Sequence, residues 1–153
     1  MDILLVASPA ALLRVDPGDG HVTTLDGLAG HHPSAVASDS WVEGRVWCAT
    51  SRGFVFRSDD AGATWSPSGL ASERLTAIVA SPARKDLAWA GTEPSAVWRS
   101  DDAGTSWRRC ADLDELPSSS EWSFPPRPDT HHVRWIACHP TMPDRLWVAV
   151  EAG

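Results

Sequence analysis

The chain repeats itself. The segment Arg57-Ser58-Asp59-Asp60-Ala61-Gly62-Ala63-Thr64-Trp65 returns as Arg99-Ser100-Asp101-Asp102-Ala103-Gly104-Thr105-Ser106-Trp107, so residue 57 aligns with residue 99 and the period is 42 residues. A recurrence of this length constrains architecture more than composition does, because each unit must bury its apolar side against the next copy of itself. The clearest unit reads as four short strands, Leu75–Ser81, Asp86–Thr92, Ala96–Ser100 and Thr105–Arg109. They are separated by the turn clusters Pro82–Lys85, Glu93–Ser95 and Asp101–Gly104. Runs of apolar and β-branched residues of this length between Pro, Gly, Asp and Ser clusters predict strands rather than helices.

Four short strands per unit of about 40 residues predict an all-β chain built of propeller blades. The strands are lettered A to D from the inside outward. Shifting the unit back by 42 lays Trp47 on Trp89, Phe56 on Trp98 and Trp65 on Trp107, giving a whole blade over residues 31–72. The clearest unit, with the long loop 110–132 after its D strand, fills residues 73–132. A forward shift of 58 lays Ile136 on Ile78, Asp144 on Asp86, Trp147 on Trp89 and Glu151 on Glu93, so residues 133–153 supply strands A and B alone. At the front, residues 1–30 supply B, C and D at Ile3–Ala7, Leu12–Val15 and Val22–Leu25. The expectation is a partial propeller of about three blades, completed by further blades from a missing C-terminal half or from another chain, because closed rings use four to eight.

The repeated turn fits Ser-x-Asp-x-Gly-x-Thr/Ser-Trp at Ser58, Asp60, Gly62 and Trp65, and again at Ser100, Asp102, Gly104 and Trp107. Ser and Asp side chains cap free turn amides, Gly accepts positive φ, and Trp folds back onto the blade. Both Asp residues therefore read as turn formers, not catalytic acids. This pattern resembles the Asp boxes, or BNR repeats, of sialidases and sortilin-type receptors. The stretch Trp122–Trp135, with His139-Pro140 and Asp144–Trp147, resembles the bacterial WD40/YVTN/BNR-like repeat proteins related to them. The resemblance implies a sialidase-like or glycosyl-hydrolase-like propeller with additional Asp-box blades. True sialidases use a Tyr nucleophile, and this chain has no Tyr, so their chemistry is not expected within these residues.

Composition narrows the partners. A net charge of −7 without a Lys/Arg cluster argues against nucleic acid. The N-terminal run Met1–Ala7 carries Asp2 and is too short to span a bilayer, so a cytoplasmic protein with no membrane partner is expected. Cys48, Cys110 and Cys138 lack paired spacing and read as free thiols. The nine Trp residues mostly recur at repeat positions and read as packing between blades.

In such a blade the A–B and C–D turns share one face of the disc, and the B–C and D–A connections share the other. The extra length between Arg109 and Val133 falls on the second face, where binding groups gather on long loops. It carries Trp122, Phe124, Arg127, His131 and His132. His31-His32 and His131-His132 are repeat equivalents, with Glu73-Arg74 at the same place between them, and Glu93 and Glu151 are equivalent on B–C turns. Three readings of this constellation stay open. In the first, Arg134, His131, Arg127, Trp122, His31 and His32 bind a small polar or anionic ligand, with Arg134 as its best anchor. In the second, Glu93, Glu151 and His132 act as acid and base in a glycosidase- or lyase-type reaction. In the third, the disc is a protein-assembly scaffold and these groups serve the loops. No cofactor is expected, with a metal on His31, His32, His131 and His132 as the less favoured alternative.

Overall fold

The computed structural model describes residues 4–72, 74–111, 113–123 and 130–152. Among them run thirteen strands in four antiparallel sheets, each in chain order from the inside out. Sheet one holds β1 (Leu4–Ala7), β2 (Leu12–Val15) and β3 (Val22–Leu25). Sheet two holds β4 (Pro33–Ser38), β5 (Val46–Thr50), β6 (Phe54–Ser58) and β7 (Ser66–Ala71). Sheet three holds β8 (Arg74–Ala80), β9 (Ala88–Glu93), β10 (Val97–Ser100) and β11 (Arg108–Cys110). Sheet four holds β12 (His132–Cys138) and β13 (Leu146–Glu151). The chain is a partial β-propeller. No helix among the described residues is long and apolar enough to cross a membrane.

Three details differ from the sequence expectation. The outer strand β7 continues to Ala71, beyond Pro67, and β11 begins only at Arg108. In the third unit, Thr105 and Ser106 are held inside the Asp box by bonds to Asp102, which leaves them outside the ladder. Glu93 and Glu151 are the last residues of β9 and β13 rather than turn residues.

Sheets stack face against face. Trp47, 1% exposed, and Ala49 project from sheet two into a cluster with Leu75, Ile78, Ala88 and Ala90 of sheet three. Trp89, Ala77 and Val97 on the far side of sheet three meet Val133 and Ile136 of sheet four. Leu12 and Leu28 of the first unit meet Cys48 and Phe56 of sheet two. Each interface therefore sets a Trp or small-residue face against a larger aliphatic one, and burial of this apolar surface is the main stabilising term. Burial also pushes the Cys48 thiol up to about 12 and that of Cys138 to about 11, so both are inert. Cys48 and Cys138 are free thiols.

The expectation that Trp residues pack between blades holds for Trp47 and Trp89 but not for Trp41, Trp135 and Trp147, which are exposed. Trp147 is the repeat equivalent of the two buried ones. Among the described residues its ring stacks on His139, with centroids 5.6 Å apart.

The Asp boxes explain how one turn is written twice. Ser58 Oγ accepts from the Gly62 amide at 2.8 Å, and Asp60 accepts from the Thr64 amide at 2.8 Å and the Thr64 hydroxyl at 2.5 Å. Ser100, Gly104, Asp102 and Ser106 repeat the pattern. Each turn has two successive residues at positive φ, Ala61 with Gly62 and Ala103 with Gly104, where only the second was anticipated. The Ala61 amide donates to the Gly44 carbonyl and the Ala103 amide to the Asp86 carbonyl, which places both Asp boxes beside the A–B turns. Asp59 and Asp101 leave the box to pair with arginines, Arg45 and Arg57 in one unit and Arg99 and Arg84 in the next. Asp144 pairs with Arg99 at 2.5 Å and so ties sheet three to the turn of sheet four.

These bonds make stability sensitive to acid. The Thr64 hydroxyl and amide, then Ser58, hold the Asp60 carboxyl down to about 2, and the equivalent bonds from Ser106 lower Asp102. A carboxyl whose folded value is depressed contributes its full stabilisation above its unfolded value near ~3.9, and loses it as pH falls through the folded value. The melting temperature should be flat from neutral pH down to about 5 and fall steeply between about 4 and 2. In Asp60→Asn/Asp102→Asn the molecule should start less stable and show a shallower acid limb. An unchanged acid limb in that variant would show that the Asp boxes do not carry the effect.

Candidate functional site at the inner-strand mouth

The innermost strands β4, β8 and β12 stand side by side and form a concave wall. Each has a β-bulge near its start, at Ser34, Thr76 and Arg134 respectively. A bulge inserts one residue and re-aims its side chain. Ser34 Oγ donates at 2.8 Å to the Leu75 carbonyl of the next inner strand, and Thr76 Oγ1 donates at 2.7 Å to the Val133 carbonyl of the one after. The two hydroxyls thus stitch successive inner strands together. At the third equivalent position stands Arg134, whose side chain is 69% exposed.

Ser34, Thr76 and Arg134 line one cavity of about 330 Å³ with Arg74, Leu75, His132 and Val133. It opens beside a larger hollow of about 660 Å³ that follows the inner strands and reaches Trp135. Two guanidinium groups, Arg74 and Arg134, thus stand at one mouth. Each leans on a carboxylate at the end of the neighbouring strand, Arg74 on Glu93 at 3.6 Å and Arg134 on Glu151 at 3.1 Å. His132 Nε2 lies 3.0 Å from the same Glu151 oxygen. Arg134 both faces the cavity and pairs with Glu151. A two-nitrogen fork held at one end by a carboxylate retains further donors for an anionic ligand.

The structure distributes the other sequence candidates. Arg127, with Phe124 in the same loop, lies outside the described residues. Trp122 meets His131 edge to face, with centroids 5.5 Å apart, and so pins the long loop to the start of β12. His31 packs edge-on to Phe56 at 4.7 Å. Nδ1 of His32 lies 3.0 Å from the Pro9 carbonyl oxygen and its Nε2 lies 3.2 Å from Arg52. His31, His32 and His131 are therefore spent separately on loop packing, while His132 alone of the two pairs reaches the mouth. No group of three or more His, Cys, Asp or Glu side chains that could hold a metal occurs among the described residues.

Arg74 is the residue that sequence reasoning underweighted. It occupies the repeat position of His32 and His132, and an unlike residue at a repeated position was the signal for it. A cavity of about 690 Å³ lies elsewhere, between sheets three and four, against Trp89, Arg99, Arg108, Arg109 and Leu113. Its arginines are also paired with carboxylates, Arg99 with Asp101 at 2.7 Å and Asp144 at 2.5 Å, and Arg109 with Asp114 at 2.9 Å.

No family model and no curated protein matches the chain. Solved structures do. A GH74 xyloglucanase from Xanthomonas campestris is similar with a TM-score of 0.74 and 16% identity over 98% of this chain and 26% of its own. YCF48 from Cyanidioschyzon merolae is similar with a TM-score of 0.61 and 15% identity, over 95% of this chain and 49% of its own. YCF48 bound to D1 peptide gives a TM-score of 0.56 and 19% identity over 68% of this chain and 35% of its own. The chain thus spans from about a quarter to about half the length of these proteins. At such identities the likeness is one of fold, and what it establishes is that the four stacked sheets are those of a β-propeller.

Proposed function

We propose that the chain is a binding module that takes the carboxylate of an anionic ligand, a peptide among them, at the inner-strand mouth. The observation that carries this reading is the placement of Arg74 and Arg134 on successive inner strands, around one cavity with the hydroxyls of Ser34 and Thr76. Arginine forks match carboxylate geometry, and their grip strengthens where a concave wall excludes water. The peptide held by one of the similar YCF48 structures is consistent with this use of the fold.

An acid–base reading of Glu93, Glu151 and His132 has less support from the geometry. Glycoside hydrolysis needs a carboxylic acid kept protonated near neutral pH. Glu93 and Glu151 each lie against a guanidinium, that of Arg74 and that of Arg134 respectively. In this site they orient the arginines.

The test is a calorimetric titration with two peptides of one sequence, one ending in a free carboxylate and the other in an amide. Only the free acid should bind. Arg134→Gln should weaken it about 10- to 100-fold, the loss of one charge-assisted bond of roughly 1.5–3 kcal/mol, with the melting temperature unchanged because Arg134 is exposed. Equal binding of the two peptides, or binding indifferent to Arg134→Gln, would overturn the reading.

A further inference from the structure

We propose that the face carrying the mouth holds a second carboxylate contact one blade back, at Arg52, so that the ligand is an acidic peptide with a carboxylate side chain a few residues before its C-terminus. The proposal rests on the reading of the mouth as a carboxylate site and gives that ligand a second charge. It begins in the repeat. Residues 32, 74 and 132 are equivalent, as are residues 51, 93 and 151. In the two later units the second set supplies an acid: Glu93 lies 3.6 Å from Arg74, and Glu151 lies 3.0 Å from His132 Nε2. In the unit of sheet two the same position is Ser51, whose amide is spent on the His32 carbonyl at 3.0 Å. The acid is thus replaced where the next residue, Arg52, brings a guanidinium.

The partner that Arg52 does have is neutral. Nδ1 of His32 lies 3.0 Å from the Pro9 carbonyl oxygen, which can only accept, so Nδ1 carries the hydrogen. Nε2 is left as a lone-pair acceptor, and it takes a bond from a terminal nitrogen of Arg52 at 3.2 Å. A ring protonated on both nitrogens would set donor against donor there. His32 therefore aims the guanidinium without cancelling its charge. Among the described residues Arg52 forms no ion pair, whereas Arg74 and Arg134 each lean on a carboxylate. Arg52 is exposed, and the rest of its five donors remain for a ligand.

The contact lies within reach of the mouth. Ser34, which lines the mouth cavity, is two residues from His32, and its hydroxyl bonds the carbonyl of Leu75, the neighbour of Arg74. Sheets of this chain flank the contact on both sides, with Pro9 from the first unit and Leu75 from sheet three. Packed sheets stand about 10 Å apart, and an extended peptide advances about 3.3 Å per residue. A ligand whose terminal carboxylate rests at Arg74 and Arg134 would accordingly bring a side chain about two to four residues earlier to Arg52.

Calorimetric titration of the full chain with a set of free-acid peptides tests it. The peptides share one otherwise uncharged sequence and carry Glu or Gln at the second, third or fourth residue before the C-terminus. At one of these places Glu should bind about 3- to 10-fold more tightly than Gln, the effect of one further charge-assisted bond at an exposed arginine. Arg52→Gln should abolish that preference while leaving the choice of free acid over amide intact, and Arg134→Gln should weaken the Glu and Gln peptides alike. Arg145→Gln, between β12 and β13 on the opposite face, removes the same charge and should leave the preference in place. Equal binding of Glu and Gln peptides at all three places, with free acid still preferred over amide, would overturn this proposal alone. So would a preference that survives Arg52→Gln or is lost in Arg145→Gln. Equal binding of free acid and amide would overturn the reading of the mouth and this proposal with it.

Discussion

Trp47→Ala should lower the unfolding free energy by about 3–5 kcal/mol, the cost of emptying a fully enclosed aromatic site, whereas Trp147→Ala at the equivalent position should change it by no more than about 0.5 kcal/mol. The chemistry of the two residues is the same and so is their place in the strand. What differs is the neighbour: Trp47 lies within the cluster of sheet three and meets Trp107 edge to face at 6.3 Å, while Trp147 among the described residues stacks on His139. Urea unfolding of both variants at low protein concentration measures the contrast. Equal losses would mean that sheet four is covered as sheet two is, and would remove the basis for the stacking order.

Gly104→Ala should be comparably severe. The residue sits at φ +82°, and a Cβ there would run into Ser68 Oγ and lie 2.5 Å from Trp47 Cζ3. The backbone has little freedom to retreat. Its amide is held by Ser100 Oγ at 2.7 Å, and its carbonyl accepts from Ser68 Oγ at 2.8 Å. Left-handed strain and overpacking together should cost about 3–5 kcal/mol. Gly30→Ala provides the control, because Gly30 has a similar φ of +78° and nothing within 4 Å of the added atom. It should cost only the conformational part, about 1–2 kcal/mol. Thermal or urea unfolding that ranked the two variants equally would show that the Asp box does not press against the neighbouring sheet.

Both results depend on features that were written in the sequence to different degrees. Strand order and the two-strand closing sheet followed from sliding one unit by 42 and 58, because the Trp and Asp positions that define a blade recur in register, and the three-strand opening sheet followed from laying Arg14 on Arg99. The Asp-box bonds were equally legible, since their partners lie within a few residues of each other and local spacing fixes them. Side-chain fate across blades was not. Nothing in the local pattern distinguishes Trp47 from Trp147, whose burial is decided by a neighbour far along the chain.

The mouth was legible in part. Repeat arithmetic puts Arg134 and His132 at the start of an inner strand and Glu93 and Glu151 on B–C turns of the same face; in the structure Arg134 and His132 lie on β12, while Glu93 and Glu151 end β9 and β13. Arg74 was passed over because its two equivalents are His, so identity at the repeated position, rather than charge, drew attention. The paired histidines were overvalued for the same reason. Adjacent residues on extended backbone diverge, and each of His31, His32 and His131 found a local partner instead. The bulges that aim Ser34, Thr76 and Arg134 arise from ladder register, which the side-chain pattern alone does not report.

The proposed grip of Arg74 and Arg134 on an anionic ligand can be read by side-chain NMR of ¹⁵N-arginine-labelled protein titrated with the free-acid peptide. The Nε–Hε signals of Arg74 and Arg134 should move together and saturate together, while those of Arg57 and Arg99, paired with Asp59 and Asp101, stay in place. Movement at Arg99, Arg108 and Arg109 in the cavity between sheets three and four, with Arg74 and Arg134 silent, would contradict it.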